Sequence, residues 1–182
     1  MRLIFTILIV SLTGPIHLKA QNEDFKKIES RRFKNLYEMN DSIYRSEQPS
    51  RKGFKELEAL GIKTAISFRR AKDDTKKAKG TSMQLEHIPL RSKELTESDI
   101  VEVLRVIKDA PKPLLIHCYH GSDRTGVISA AYRVVFEDWT KERAIEEMRY
   151  PAFGYHEKWY PFLVDFITDL DVEGIKKELE IN

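Results

Sequence analysis

Within one eight-residue stretch, His117-Cys118-Tyr119-His120-Gly121-Ser122-Asp123-Arg124, stand a thiol, two imidazoles, a carboxyl and a guanidinium, followed directly by Thr125-Gly126. The apolar run Pro113-Leu114-Leu115-Ile116 leads in as a buried strand would, and residues 124–137 leave as a helix would, so the stretch between is a tight strand-to-helix loop. Such a loop turns backbone N–H groups inward, and with a helix N-terminus behind it the concavity suits a dianion such as phosphate. Cys118 at the start and Arg124 six residues on can put sulfur beneath a phosphorus atom and a guanidinium fork on its oxygens. A helix N-terminus and a nearby cation favour the thiolate, which is the form that attacks. Thr125 can donate its hydroxyl to that sulfur, and His117 can fix the loop entry by hydrogen bonding. These residues imply phosphoryl transfer to Cys118, with Tyr119, His120, Gly121, Ser122, Asp123 and Arg124 around the phosphate.

HCYHGSDRTG resembles the HCX5R signature of cysteine-dependent phosphatases, the protein tyrosine and dual-specificity phosphatases. Upstream, Leu36-Tyr37, then Ser42-Ile43-Tyr44-Arg45-Ser46-Glu47-Gln48-Pro49, then Leu60-Gly61-Ile62-Lys63-Thr64 are similar to the opening of the compact dual-specificity-like members found in bacteria, plants and fungi. The resemblance spans roughly residues 33–170. It implies a phosphocysteine intermediate on Cys118, phosphate clamping by Arg124 and the loop amides, and neither metal nor cofactor. A lone cysteine is often only a small buried hydrophobe, and the same spacing occurs in rhodanese-like sulfur carriers. The helix-opening Arg124-Thr125-Gly126 argues against the latter. A pseudophosphatase that binds phosphorylated ligands without turnover is the alternative from a different class; Cys118 and Arg124 together argue for turnover.

A poor leaving group needs a proton on its departing oxygen. In most of the resembled family an aspartate supplies it, two or three residues beyond a proline in the loop that precedes the helix before the cysteine. Here Pro89 is followed by Leu90-Arg91-Ser92. Asp123 is one replacement, since Asp123-Arg124-Thr125 resembles the loop of myotubularin and Sac-type lipid phosphatases. Glu94, Glu97 and Asp99 are the others. Asp99 has a competing role as a helix cap, Glu94 and Glu97 as solvated charges, and Asp123 as the partner of a neighbouring cation. A substrate that needs no acid is a further alternative.

The variable loop positions carry no lysine or arginine, which disfavours a highly charged substrate. His120 can supply charge or simply hold the loop, and Arg91 and Lys93 can add positive potential. A phosphorylated protein, phosphotyrosine above all, or a small phosphate ester is the expected substrate; a phosphoinositide or inositol phosphate is the alternative.

The elements that must position this loop are legible around it. With 182 residues and 41% hydrophobic content, the chain has enough apolar surface for one sizeable core. Residues 1–20 read as a secretory signal peptide: basic Arg2, an apolar stretch from Leu3 to Leu12, a Gly14-Pro15 break and a cut after Ala20. This ten-residue stretch is too short to span a bilayer, so no stable membrane span is expected after cleavage, and the expected location is periplasmic or secreted. Cleavage removes two of the 31 basic side chains, Arg2 and Lys19, leaving 29 against 29 acidic ones, a balance that offers nothing to nucleic acid.

Residues 21–32 read as a loose or helical lead-in to a catalytic domain over 33–182. Short strands are expected at Leu36-Tyr37 and Ile43-Tyr44, followed by Arg45 as a solvated or wall residue, a helix capped by Ser50, and a buried strand from Ile62 to Phe68. Asp73, Asp74 and the lysines of 71–80 read as surface charge, and Met83 to Ile88 as another strand. Thr96 and Asp99 open a capping box, Thr140 caps a shorter helix, and Trp159, Phe162, Leu163, Phe166, Ile167 and Leu170 read as a last core-facing helix. Alternating strands and helices predict an α/β three-layer sandwich with a central, mainly parallel sheet flanked by helices.

Overall fold

The computed structural model describes residues 24–181, so the signal-peptide reading of 1–20 lies outside the described residues. Strands β1 (Lys26–Lys27), β2 (Tyr37–Asn40), β3 (Ile43–Ser46), β4 (Thr64–Ser67), β5 (Gln84–His87) and β6 (Leu114–His117) form one sheet in the order β1-β2-β3-β6-β4-β5. The first three run antiparallel as a meander, and β3, β6, β4 and β5 pair in parallel, so the sheet is mixed. Helices α1 (Arg51–Ala59), α2 (Thr75–Ala78), α3 (Glu97–Asp109), α4 (Asp123–Phe136), α5 (Lys141–Met148), α6 (Phe162–Asp169) and α7 (Val172–Glu178) complete the layers.

Alternation along the strands builds a core on each face of the sheet. On β6, Leu114 and Ile116 join the larger core under α3 to α7, while Leu115 joins the smaller one formed with Phe54 and Leu57 of α1. All three side chains are fully buried, which is why this strand reads as an unbroken apolar run. In helix α4 every residue from Thr125 to Val135 is buried, so the helix is pinned from all sides.

Local sequence signals set the element boundaries. Ser50 accepts from Gly53 N–H, Thr140 accepts from Arg143 N–H, and Thr96 with Asp99 forms the complete reciprocal capping box. Three expectations need correction. Residues 26–27 are not a loose or helical lead-in but an edge strand paired with β2, and Phe25 beside it packs against Tyr37, Tyr150 and Phe153. Leu60, which helical spacing expects on one face with Phe54 and Leu57, is instead the C-cap of α1 and is exposed. Trp159 precedes α6 and is 71% exposed, because the chain turns at 157–159 and the apolar face of α6 starts only at Leu163.

Candidate active site

The centre of the sheet fixes where chemistry can occur. Ser46, His117 and Ser67 are aligned across β3, β6 and β4, so the residues after each strand emerge together at the carboxyl edge. In open α/β sheets ligands bind at this edge. Cys118 is the first residue beyond β6, with 2% of its surface exposed. Gly121 N–H donates to its Sγ at 3.3 Å, so the loop curls back over the sulfur.

Gly121 is the pivot of that curl, at φ +74°. Its carbonyl accepts from Arg45 Nη2 at 3.1 Å, and a Cβ added there would lie 2.5 Å from the Ser46 carbonyl. Only glycine allows β3 and the loop to approach so closely. Other tethers come from either end of the β2–β3 hairpin: after β3, Gln48 N–H donates to the Tyr119 carbonyl at 3.2 Å, and before β2, Asn35 Nδ2 donates to the His120 carbonyl at 3.3 Å. Asn35 is held in turn by the Glu47 carboxylate, which accepts from the N–H groups of Lys34 and Asn35.

Arg45 is not solvated but completely buried, its guanidinium carbon 3.7 Å from the centre of the Phe153 ring. Burial pulls its pKa down to about 10, while the negative charge available at Glu147 and Cys118 acts in the opposite direction. It therefore stays cationic at neutral pH and puts a second positive charge behind the loop. His117, also fully buried, approaches Asp74 with Nε2 2.8 Å from Oδ2, and its Nδ1 lies 3.3 Å from the Cys118 carbonyl. The Nε2–Oδ2 contact is close without the alignment of a hydrogen bond. Asp74 is thus a buried anchor for the loop entry and not a surface charge. Burial pushes its carboxyl up, but His117, Gln48 and Ser67 outweigh that and hold it below the ordinary carboxylate range. Thr125 does not donate to the sulfur as expected: its hydroxyl is buried without a hydrogen-bond partner, because α4 carries it inward beneath the loop.

Arg124 opens the first turn of α4 and donates from Nη1 to the Phe68 carbonyl at 3.0 Å. It borders two clefts, one of about 290 Å³ shared with Arg69, Arg70 and Tyr119, the other of about 390 Å³ shared with Arg70, Arg91, Lys93, Glu94 and Tyr160. Ser122 is buried at the start of α4, whereas Tyr119 and His120 form the exposed rim. Asp123, with 13% of its side chain exposed, accepts from His156 N–H at 2.9 Å through Oδ1 and faces His156 Nδ1 at 3.0 Å through Oδ2.

The three remaining acidic candidates are occupied. Glu94 grips Arg91 through both oxygens at 3.0 and 3.1 Å, Glu97 accepts from Asp171 N–H at 3.2 Å, and Asp99 accepts from both the N–H and hydroxyl of Thr96. Of these, only Glu94 shares a cleft with Arg124. Asp74 and His156 escaped the sequence reading as site residues, and Arg45 was open between a wall and a solvated side chain, because each is brought to the loop from a distant element.

Comparison with known proteins places this geometry. The dual specificity protein phosphatase TpbA of Pseudomonas aeruginosa PAO1 is 32% identical over 145 residues, which are 78% of this chain and 65% of TpbA. The chain thus matches just under two thirds of that relative. The crystal structure of P. aeruginosa TpbA in complex with pTyr superposes with a TM-score of 0.79 at 26% identity, covering 90% of this chain and 99% of that one. The inositol diphosphatase DSP5 of Arabidopsis thaliana is 28% identical over 158 residues, 79% of this chain and 72% of its own. A family model described as "Tyrosine phosphatase family" matches residues 28–182, a range that begins just after the edge strand and takes in the cysteine loop and the last helix, and on that match the chain belongs to the tyrosine phosphatase family.

Proposed function

We propose that the protein is a cysteine-dependent phosphatase acting on phosphate monoesters, with phosphotyrosine and other phosphorylated protein side chains as its substrates. The observation that carries this reading is the closed loop over Cys118, with Gly121 N–H on the sulfur and Arg124 at the cleft mouth. In this mechanism the Cys118 thiolate attacks phosphorus in line with the departing oxygen, forming an S–P bond as the ester P–O bond breaks. The loop amides and Arg124 bind the equatorial oxygens, and water then releases phosphate from sulfur. The likeness to a TpbA structure holding pTyr supports an aromatic phosphate ester.

The test is phosphate release from p-nitrophenyl phosphate and from a phosphotyrosine peptide by the wild type and by Cys118→Ser. Turnover should vanish in the variant while peptide binding persists. A Cys118→Ser enzyme that still turns over would sink the reading.

One observation favours inositol phosphates as a second substrate class. The clefts that meet at Arg124 carry Arg69, Arg70, Arg91 and Lys93, cations that lie outside the loop and supply the counter-charge its own sequence lacks. The 28% identity to an inositol diphosphatase points the same way. Arg91→Ala should raise KM for a polyphosphorylated inositol at least about tenfold and leave p-nitrophenyl phosphate unaffected; equal KM values would exclude this class. We also propose export, from the signal-like residues 1–20. Amino-terminal sequencing of the protein recovered from a secreting host should begin at Gln21, and an intact Met1 would refute it.

A further inference from the structure

We infer that His156 is the general acid of the reaction, held in place by Asp123; this rests on the phosphatase reading above and adds the proton donor that the reading needs. Asp123 occupies the loop position before Arg124, yet both its oxygens face donors of one residue. The His156 backbone N–H reaches Oδ1 at 2.9 Å, and ring Nδ1 lies 3.0 Å from Oδ2 and 3.2 Å from Oδ1. A carboxylate that accepts at both oxygens is serving as an acceptor, and the proton belongs to the ring it faces. The arrangement has the logic of an acid–histidine pair, in which the carboxylate fixes ring orientation through one nitrogen and leaves the other for chemistry.

Nε2 of His156 has no hydrogen-bond partner among the described residues, and 38% of the side chain is exposed. The ring is placed from two sides. Its centre is 5.7 Å from that of His120, which belongs to the cysteine loop, and it stacks on Trp159 at 5.4 Å with 14° between the planes. His156 therefore stands beside the cysteine loop, tied to Asp123 and next to His120, with its second ring nitrogen left open. The loop acids offer no better donor, since Glu94, Glu97 and Asp99 are committed to Arg91, the Asp171 amide and the Thr96 cap.

The proton balance closes over both steps. As the Cys118 thiolate bonds to phosphorus and the ester oxygen leaves, Nε2–H of the imidazolium gives that oxygen its proton, so the product is a neutral alcohol or phenol beside a neutral imidazole. In the second step the same nitrogen takes a proton from the attacking water as the S–P bond breaks, which restores the thiolate and the imidazolium and releases hydrogen phosphate.

The test separates donation from positioning. In the full chain, His156→Asn keeps a side-chain N–H where Nδ1 stood, so it can still hold Asp123, but it has no proton to transfer. The readout is kcat/KM, which ends with phosphoryl transfer to Cys118 and is blind to the second step: p-nitrophenolate leaves without a proton and phenolate does not, so the ratio of kcat/KM on p-nitrophenyl phosphate to that on phenyl phosphate should rise about 10²-fold. Phenyl phosphate activity within threefold of wild type would overturn the assignment and leave His156 a positioning residue. An equal fall on both substrates in a variant whose melting temperature is unchanged would overturn it too, as would a selective loss in Asp123→Asn that His156→Asn does not share. A wild type inactive on both substrates would instead refute the phosphatase reading itself.

Discussion

Replacing Gly121 by alanine asks how tightly the cysteine loop depends on β3. The backbone there is left-handed, φ +74°, which costs an L-residue about 1–2 kcal/mol. The new Cβ would also lie 2.5 Å from both the carbonyl carbon and oxygen of Ser46 and 2.6 Å from Glu47 N, all of them backbone atoms with no rotamer to give way. To reach an ordinary 3.4 Å contact, the loop must retreat by roughly 0.9 Å. That motion pulls the Gly121 N–H off Sγ and its carbonyl off Arg45. Displacement on that scale is worth about 10² in rate. Gly61 is the internal control: its φ is +84°, but nothing lies within 4 Å of where an added methyl would sit, so Gly61→Ala carries the backbone cost alone. Urea melts should show a loss of about 1 kcal/mol for Gly61→Ala with unchanged kcat. Gly121→Ala should lose at least about twice that stability and about 10²-fold in kcat on p-nitrophenyl phosphate. If the two variants match in stability and in kcat, the claim that β3 moulds the loop is wrong.

Arg45→Met removes the buried cation behind the loop while keeping apolar bulk against Phe153, so iodoacetamide should alkylate Cys118 at about pH 6 at least about threefold more slowly; an unchanged rate would mean the sulfur does not sense that charge. Asp74, with a carboxyl depressed in the folded state, contributes stability that is complete above about pH 4 and is lost as pH falls through its lower folded value. The urea midpoint of the wild type should therefore drop more steeply on acidification than that of Asp74→Asn, and parallel curves would refute the anchoring role. Because Cys118 is the only cysteine in the chain, mild peroxide should inactivate the enzyme through sulfenic or higher oxidation with no intramolecular disulfide; intact, unoxidised Cys118 in inactivated protein by mass spectrometry would count against this.

The cysteine loop was legible because its residue pattern is contiguous: cysteine, glycine, arginine and the helix opening fall within ten residues, bracketed by an apolar strand and an apolar helix. Helix starts were legible for the same reason, since Ser50, Thr96 and Thr140 bond within three residues of themselves. What failed to show was whatever depends on long-range placement. Arg45 sits next to Tyr44 in an alternating strand, and only the fold reveals that its side chain points under Gly121. Asp74 hides among lysines that are mostly exposed, and its partner His117 is 43 positions away. His156 lies 33 residues past Asp123 in a turn with no periodicity to mark it. Lys26–Lys27 could not be read as a strand because two exposed lysines carry no alternation; their pairing is dictated by β2 and by Phe25 plugging the aromatic cluster beside them.

The stack of Trp159 on His156 has a practical corollary. Of the two tryptophans, Trp139 is flanked by the guanidinium groups of Arg133 and Arg143, whereas Trp159 faces water beside the imidazole. Any movement of that ring changes the contact on the indole, so the Trp159 emission is an optical gauge of the surroundings of His156. Titrating oxyanions against that fluorescence would let occupancy of the cup be watched in real time, without a coloured substrate and in variants that no longer turn over.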